Sequence, residues 1–246
     1  MSTAAIATTF LSKLSTRENI AEGTMAFRFE KPEGWTFIAG QYVDMTLLNP
    51  PETDSEGNTR TFSIASAPQD DLFMVATRMR DTAFKRVLQR LPIGTAVKIE
   101  GPSGALTLHD DATRAAVLLA GGIGITPFRS MLRCATKEKR PHRLILFYSN
   151  RRPEDAPFLD ELLALERDNP HYSLIATMTD MTQSHRTWPG ETGLITKEKL
   201  ATYANHAALP VYYIAGPPKM VKGLQTMLRE IGVDEEDIRA EEFAGY

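Results

Sequence analysis

The chain has 246 residues, 42% hydrophobic and 24% charged, with a formal net charge of −3. That length holds one large domain or two of roughly 100–150 residues, and the charge gives no reason to propose nucleic acid. Residues 1–12 show no basic start before an apolar block, and no apolar stretch approaches the ~20 residues of a membrane span. The expectation is a cytoplasmic protein. The single cysteine, Cys134, excludes an iron–sulfur cluster, a disulfide or a cysteine-based zinc site within one chain. It falls near the apolar side of a helical stretch and reads as a small buried hydrophobe.

The N-terminal half reads as β-rich. Residues 4–14 and 24–30 alternate apolar and polar side chains, as half-buried strands do. Residues 37–48 carry Gly40-Gln41-Tyr42-Val43 and end at the turn signal Asn49-Pro50-Pro51. Residues 51–59 are too polar to pack and should form an exposed loop. Strands are predicted at 61–65, 72–79 and 97–100, with one helix at 81–91. Several short strands with a single helix predict a small antiparallel barrel.

Within it, Arg60-Thr61-Phe62-Ser63 combines a guanidinium fork suited to phosphate, an aromatic suited to a planar ring, and a hydroxyl. In a strand, Arg60 and Phe62 point one way, and Thr61 and Ser63 the other. Alone, the tetrapeptide reads better as an edge strand with a surface arginine.

After His109-Asp110-Asp111 strands alternate with helices: 115–120 with 127–137, 143–149 with 157–167, 172–177 with 196–204, and 211–215 with 218–231. That is the rhythm of a parallel sheet, and it sets the domains at 1–110 and 111–246. The longest irregular piece, 180–193, falls at the strand C-terminal end, where α/β proteins bind ligands. The apolar run 115–120 leads into Gly121, Gly122 and Gly124, then Thr126 as a helix N-cap and Pro127 at the first helical position. A strand, a glycine turn and a helix N-terminus together hold a phosphate through backbone N–H groups and the helix dipole. Pro127 stands where the usual G-x-G-x-x-G fingerprint has its last small residue.

Taken in order, Arg-Thr-Phe-Ser, the 82–91 helix, Gly101-Pro102-Ser103-Gly104, Gly-Gly-Ile-Gly-Ile-Thr-Pro and Gly216-Pro217-Pro218-Lys219-Met220 resemble the ferredoxin–NADP reductase family of flavoenzymes. The resemblance covers essentially the whole chain. It implies a six-stranded antiparallel barrel binding FAD, then an α/β parallel-sheet domain binding NADH or NADPH, with a C-terminal tail covering the flavin. It implies that Arg60 pairs with the FAD pyrophosphate, Thr61 adds backbone contacts, Phe62 packs along the flavin and Ser63 sits near flavin N5. Thr77, Arg78 and Met79 match the adenine-side strand. The helix start at Phe84-Lys85-Arg86 matches the second pyrophosphate site, where the family usually has Ser or Thr; the two cations there read equally as a solvated helix face.

On the nicotinamide side the resemblance assigns Gly122, Ile123, Gly124, Thr126 and Pro127 to the pyrophosphate, and Gly216, Pro217 and Met220 to the nicotinamide. Ala215 replaces the family's usual cysteine. Ser149, Asn150 and Arg151 fall at the adenosine ribose, where the pair Arg151-Arg152 would clamp a 2′-phosphate and Asp180 would repel one; the balance leans to NADH. Glu242 and Phe243 match the family's terminal acid and flavin-covering aromatic, and Tyr246 would reach the adenine side, though a frayed tail reads equally well there. The implied activity passes hydride from nicotinamide to flavin N5, with Ser63, Glu242 and Phe243 as the catalytic group. Electrons then pass to a separate acceptor: a ferredoxin, a flavodoxin, an oxygenase component or a small molecule. The alternative is a non-catalytic flavin- or nucleotide-binding module that senses redox state for a protein partner.

Overall fold

A computed structural model describes residues 8–204 and 207–243. Five strands come first: β1 (Thr8–Ala21), β2 (Thr24–Glu30), β3 (Tyr42–Leu47), β4 (Thr59–Ser63) and β5 (Leu72–Arg78). Helix α1 (Ala83–Arg90) and strand β6 (Ala96–Ser103) follow. The sheet runs β4-β3-β6-β1-β2-β5 with antiparallel neighbours. A bridge from Ile64 to Val75 joins its two edges and closes the barrel. Inside lie Phe27, Phe29, Val43, Met45, Phe73, Val75 and Ile99, the inward positions of alternating strands.

The rest of the chain forms β7 (Ala116–Gly121), α2 (Ile125–Lys137), β8 (Leu144–Asn150), α3 (Leu159–Asp168), β9 (Tyr172–Met178), β10 (Glu191–Thr192), α4 (Lys197–Ala204), β11 (Val211–Gly216), α5 (Pro218–Glu230) and β12 (Ile238–Glu242). These strands make one parallel sheet, β10-β9-β8-β7-β11-β12. All six residues of β7 are buried, as a strand covered by helices on both faces must be. The chain leaves β7 for β8 on one side and later returns to its other side as β11. The switch point, and hence the crevice, therefore lies at the C-terminal end of β7.

Three local readings change. The first strand runs on to Ala21, and residues 4–7 of the predicted 4–14 strand lie outside the described residues. Strands β10 and β12 are absent from the hydropathy pattern, because one has two residues and the other, Ile-Arg-Ala-Glu-Glu, is mostly charged. Thr126 is not an N-cap: a short 3₁₀ turn over Gly122–Gly124 precedes α2, Gly124 occupies the cap position, and the Thr126 hydroxyl donates to Ile123 O at 3.0 Å.

Barrel and sheet are joined through α2. Arg129 is only 5% exposed; its guanidinium meets Glu161 of α3 at 2.9 Å through two nitrogens and donates to Ala65 O of the barrel segment at 2.5 Å. It also lies 4.4 Å from the Phe158 ring centroid. Ser130 Oγ donates to Ser66 O at 2.6 Å beside it. Gly40, at φ +103°, lets the barrel come close to α2, since a Cβ there would stand 2.5 Å from Met131 Cε. A buried guanidinium that loses its carboxylate is strongly destabilising. Glu161→Ala is therefore expected to lower stability by about 2–4 kcal/mol and to separate the unfolding of the two halves. Chemical denaturation followed by probes in each half measures this, and a coincident, unshifted transition would refute the clamp.

Candidate active site

Two cavities open along the seam. The smaller, about 320 Å³, lies against the barrel and is lined by Arg60, Thr61, Phe62, Ser63, Thr77, Arg78 and Lys85, with Ile123 and Phe243 reaching in from the other half. The larger, about 820 Å³, lies at the C-terminal ends of the parallel strands. Gly122, Ser149, Asn150, Arg151, Pro217 and Met220 are among its walls. Arg78 and Arg80 line both cavities, and the adjacent residues Gly122 and Ile123 face one each.

On the barrel side, Arg60 and Phe62 share a strand face as expected. The Arg60 guanidinium lies 5.1 Å from the Phe84 ring centroid, and the Phe62 ring packs 5.9 Å from the same ring. Phe84 is thus a buried support beneath the cavity rather than part of its wall. Thr61 points the other way, its hydroxyl on Asp44. Met79 packs against the barrel core, and its N–H donates to Gly23 O at 2.7 Å.

The loop before β4 is acidic and turns back onto this region. Glu56 holds Arg60 at 2.7 Å, with Asp54 at 3.6 Å. Asp54 Oδ2 accepts the Ala83 N–H at the start of α1, 2.9 Å away, a favourable place for an anion. Arg86 is held by Glu52 at 2.6 Å and by Asp81, outside both cavity walls. The expected phosphate contact from Arg86 is therefore replaced by surface ion pairs. Lys85 does face the cavity and donates to Arg78 O at 2.6 Å. Burial, together with the nearby Arg80 and Arg60 charges, pushes its ammonium down to about 8.

The terminal acid also needs correction. Along β12 successive side chains alternate between faces. Glu242 is exposed and stands 4.0 Å from Lys222. Glu241 and Phe243 share the inward face, with the Ser63 hydroxyl beside the Glu241 carboxyl. Burial pushes that carboxyl up, partly offset by Ser63. Its Oε2 is buried with no partner among the described residues. Tyr246 lies outside the described residues.

Around the larger cavity, Gly124, Thr126, Pro127 and Gly216 are buried behind the wall. A Cβ on Gly124 would stand 2.3 Å from Ala215 O, and one on Gly216 3.1 Å from Gly121 N, so these glycines let the turn sit directly on β11. Ala215 is fully buried in the shared core and lines neither cavity. The arginine pair divides. Arg151 lines the cavity 3.4 Å from Asp155, whereas Arg152 turns to Glu22, Asp155 and Gln183 O. Asp180 caps its own turn through Thr182.

Two family models match this chain: "Oxidoreductase FAD-binding domain" over residues 11–108 and "Oxidoreductase NAD-binding domain" over residues 118–226. The chain belongs to the ferredoxin reductase-like family of oxidoreductases. Its cofactors are FAD and a nicotinamide dinucleotide. Ferredoxin–NADP reductase B of Sorangium cellulosum is 28% identical over 225 residues, covering 87% of this chain and 89% of that protein. Reductase component 1 of terephthalate 1,2-dioxygenase from Comamonas is 25% identical, covering 96% and 68%. Flavohemoprotein A of Dictyostelium discoideum is 27% identical over 89% of this chain, which spans 56% of that relative's length. The Neisseria gonorrhoeae ferredoxin NADP+ reductase, solved with bound FAD and NADP, shares the fold at a TM-score of 0.78 and 22% identity, over 95% of this chain and 98% of that one.

The residues fit the family's cofactors. Glu241 Oε2 and Asn150 Nδ2 are buried polar atoms with no partner among the described residues, one beside Ser63 and one in the wall of the larger cavity. Such atoms call for a ligand or water. Arg60 and Lys85 would hold the FAD pyrophosphate, and the 122–124 turn that of the dinucleotide.

Two outcomes follow. A bound pyrophosphate favours charged Lys85, so FAD affinity should be constant below about pH 8 and fall above it. Titration of flavin-free protein across that pH measures this, and Lys85→Met should be weaker and flat; the same pH slope in both proteins would exclude Lys85. A carboxyl with a raised folded pKa contributes its full stability below its ordinary value of 4.5 and loses it as pH rises through the folded value. Glu241→Gln should therefore melt above wild type at neutral pH and level with it near about pH 4. Equal melting temperatures at both pH values would show that no charge is buried there.

Proposed function

We propose that this chain is a cytoplasmic NAD(P)H-dependent flavin reductase that passes electrons from its FAD to a separate redox protein or small acceptor. The observation that carries the reading is the shared wall: Arg78 and Arg80 belong to both cavities, and Gly122 and Ile123 link them. Flavin and nicotinamide, once bound, supply the hydride chemistry. The chain's own residues position, protect and protonate. Ser63 Oγ orients a hydrogen bond at the flavin edge, and Glu241 behind it holds a proton for exchange through Ser63. Phe243 keeps water from that edge and moves aside for the nicotinamide. Arg60 and Lys85 hold phosphate from the barrel side. Glu241 takes the role first given to Glu242.

NADH is the proposed donor, because only one of the two arginines after β8 reaches the cavity and Asp155 partly neutralises it. The acceptor would dock near Arg80 and Arg90, which stay exposed, while Lys85 and Arg86 are committed elsewhere. The reductases of ferredoxin and of oxygenase components among the relatives support a protein acceptor.

Anaerobic addition of NADH to purified holoprotein should bleach its flavin band within seconds, and NADPH should act more slowly. Ser63→Ala should keep FAD bound yet slow reduction by about tenfold or more. Bound flavin that neither donor reduces would support the redox-sensing module instead, and a normal rate in Ser63→Ala would remove Ser63 from the mechanism.

A further inference from the structure

Strand β8 lies inside the parallel sheet between β7 and β9, and most of its side chains are apolar and buried. Tyr148 is fully buried there and lines neither cavity. A phenylalanine would fill the same space. A buried hydroxyl is costly unless it is bonded, and this one reaches Pro157 O at 3.0 Å and Gly122 O at 3.3 Å.

Those two carbonyls belong to segments with different tasks. Gly122 opens the turn between the cavities, with φ +51° and no side-chain cap at its start. Its carbonyl also takes the Ile125 N–H that closes the 3₁₀ turn. A trans peptide is planar, so the direction of Gly122 C=O fixes that of the Ile123 N–H on the opposite side of the same unit. Holding the carbonyl toward the sheet aims that N–H away from it. Pro157 ends the segment that clasps the barrel. Within it Glu154 O accepts the Glu22 N–H at 2.8 Å, and Asp155, itself buried, stands 3.9 Å from Arg78. One hydroxyl thus ties the glycine turn to the segment that docks the two halves.

We infer that Tyr148 is a positioning residue for dinucleotide binding, acting through the Gly122 carbonyl to orient the backbone donors of the 122–124 turn. The inference rests on the reductase reading above. Its test compares holoprotein carrying Tyr148→Phe, which keeps the ring, with Tyr172→Phe on the neighbouring β9. Tyr172 is a matched control, being buried with a hydroxyl that has no partner among the described residues. Calorimetric titration with NAD+ and NADP+ should show Kd raised about 3- to 10-fold in Tyr148→Phe, the effect of one hydrogen bond. KM for the reduced donor should follow while kcat stays within about twofold. Amide hydrogen exchange at 122–124 should quicken, and FAD content should stay that of wild type.

Tyr172→Phe should leave Kd and exchange unchanged. An unchanged Kd in folded Tyr148→Phe, an equal shift in Tyr172→Phe, or a loss confined to kcat would overturn the inference and leave the reductase reading intact. Wild-type protein that binds neither NAD+ nor NADP+ would overturn both.

Discussion

The arrangement depends on a buried positive charge. Arg129 sits on the helix that follows the glycine turn, and burying its guanidinium requires acceptors on several sides. It finds them in Glu161 on the next helix, in the Ala65 carbonyl of the barrel and in the face of Phe158. Because these partners come from both halves, the charge is satisfied only when barrel and sheet meet in one orientation. That orientation brings Ile123 and Phe243 into the barrel's cavity and places Arg78 in the wall of both. Two nucleotide sites that must exchange a hydride have to be held in contact, since effective reaction requires the reacting atoms within about 3.5 Å. A loosely tethered pair of domains would reach such contact only intermittently.

The electrostatics around α1 show why charge counting misled. In the sequence, Lys85 and Arg86 at the start of one short helix suggest a pair of phosphate-binding cations. The preceding loop, however, carries Glu52, Asp54 and Glu56, and the fold returns it to that helix. Arg86 is neutralised at the surface, while Lys85 is drawn under Arg78 and loses part of its hydration. The useful distinction is burial. An exposed ion pair contributes little net energy, whereas a half-buried ammonium among like charges is poised to gain from an incoming phosphate.

Much of the architecture was legible from side-chain period and glycine placement. The switch from alternating strands to buried apolar runs separates the barrel from the parallel sheet, and the 115–127 stretch announced its glycine turn. What stayed hidden was set by contacts distant in the chain. The two-residue β10 and the charged β12 exist because existing sheet edges offered them hydrogen bonds, and neither has a hydropathy signature of its own. Thr126 has the composition of a cap but lies inside the helix, since the turn before it winds as 3₁₀ first.

The acid beside Ser63 is the most instructive miss. Matching a motif by order selects Glu242, next to the aromatic Phe243. Geometry selects Glu241, because neighbours in a strand face opposite ways and residues two apart face the same way. Once Phe243 points toward the flavin cavity, Glu242 must point to solvent, where Lys222 meets it. Recognising β12 as a strand would have been enough to predict this. The buried carboxyl then costs stability as it ionises, which an ordinary structural position would not retain without compensation. The hydroxyl of Ser63 supplies part of that compensation, and the unpartnered Oε2 calls for the remainder to come from a ligand or water.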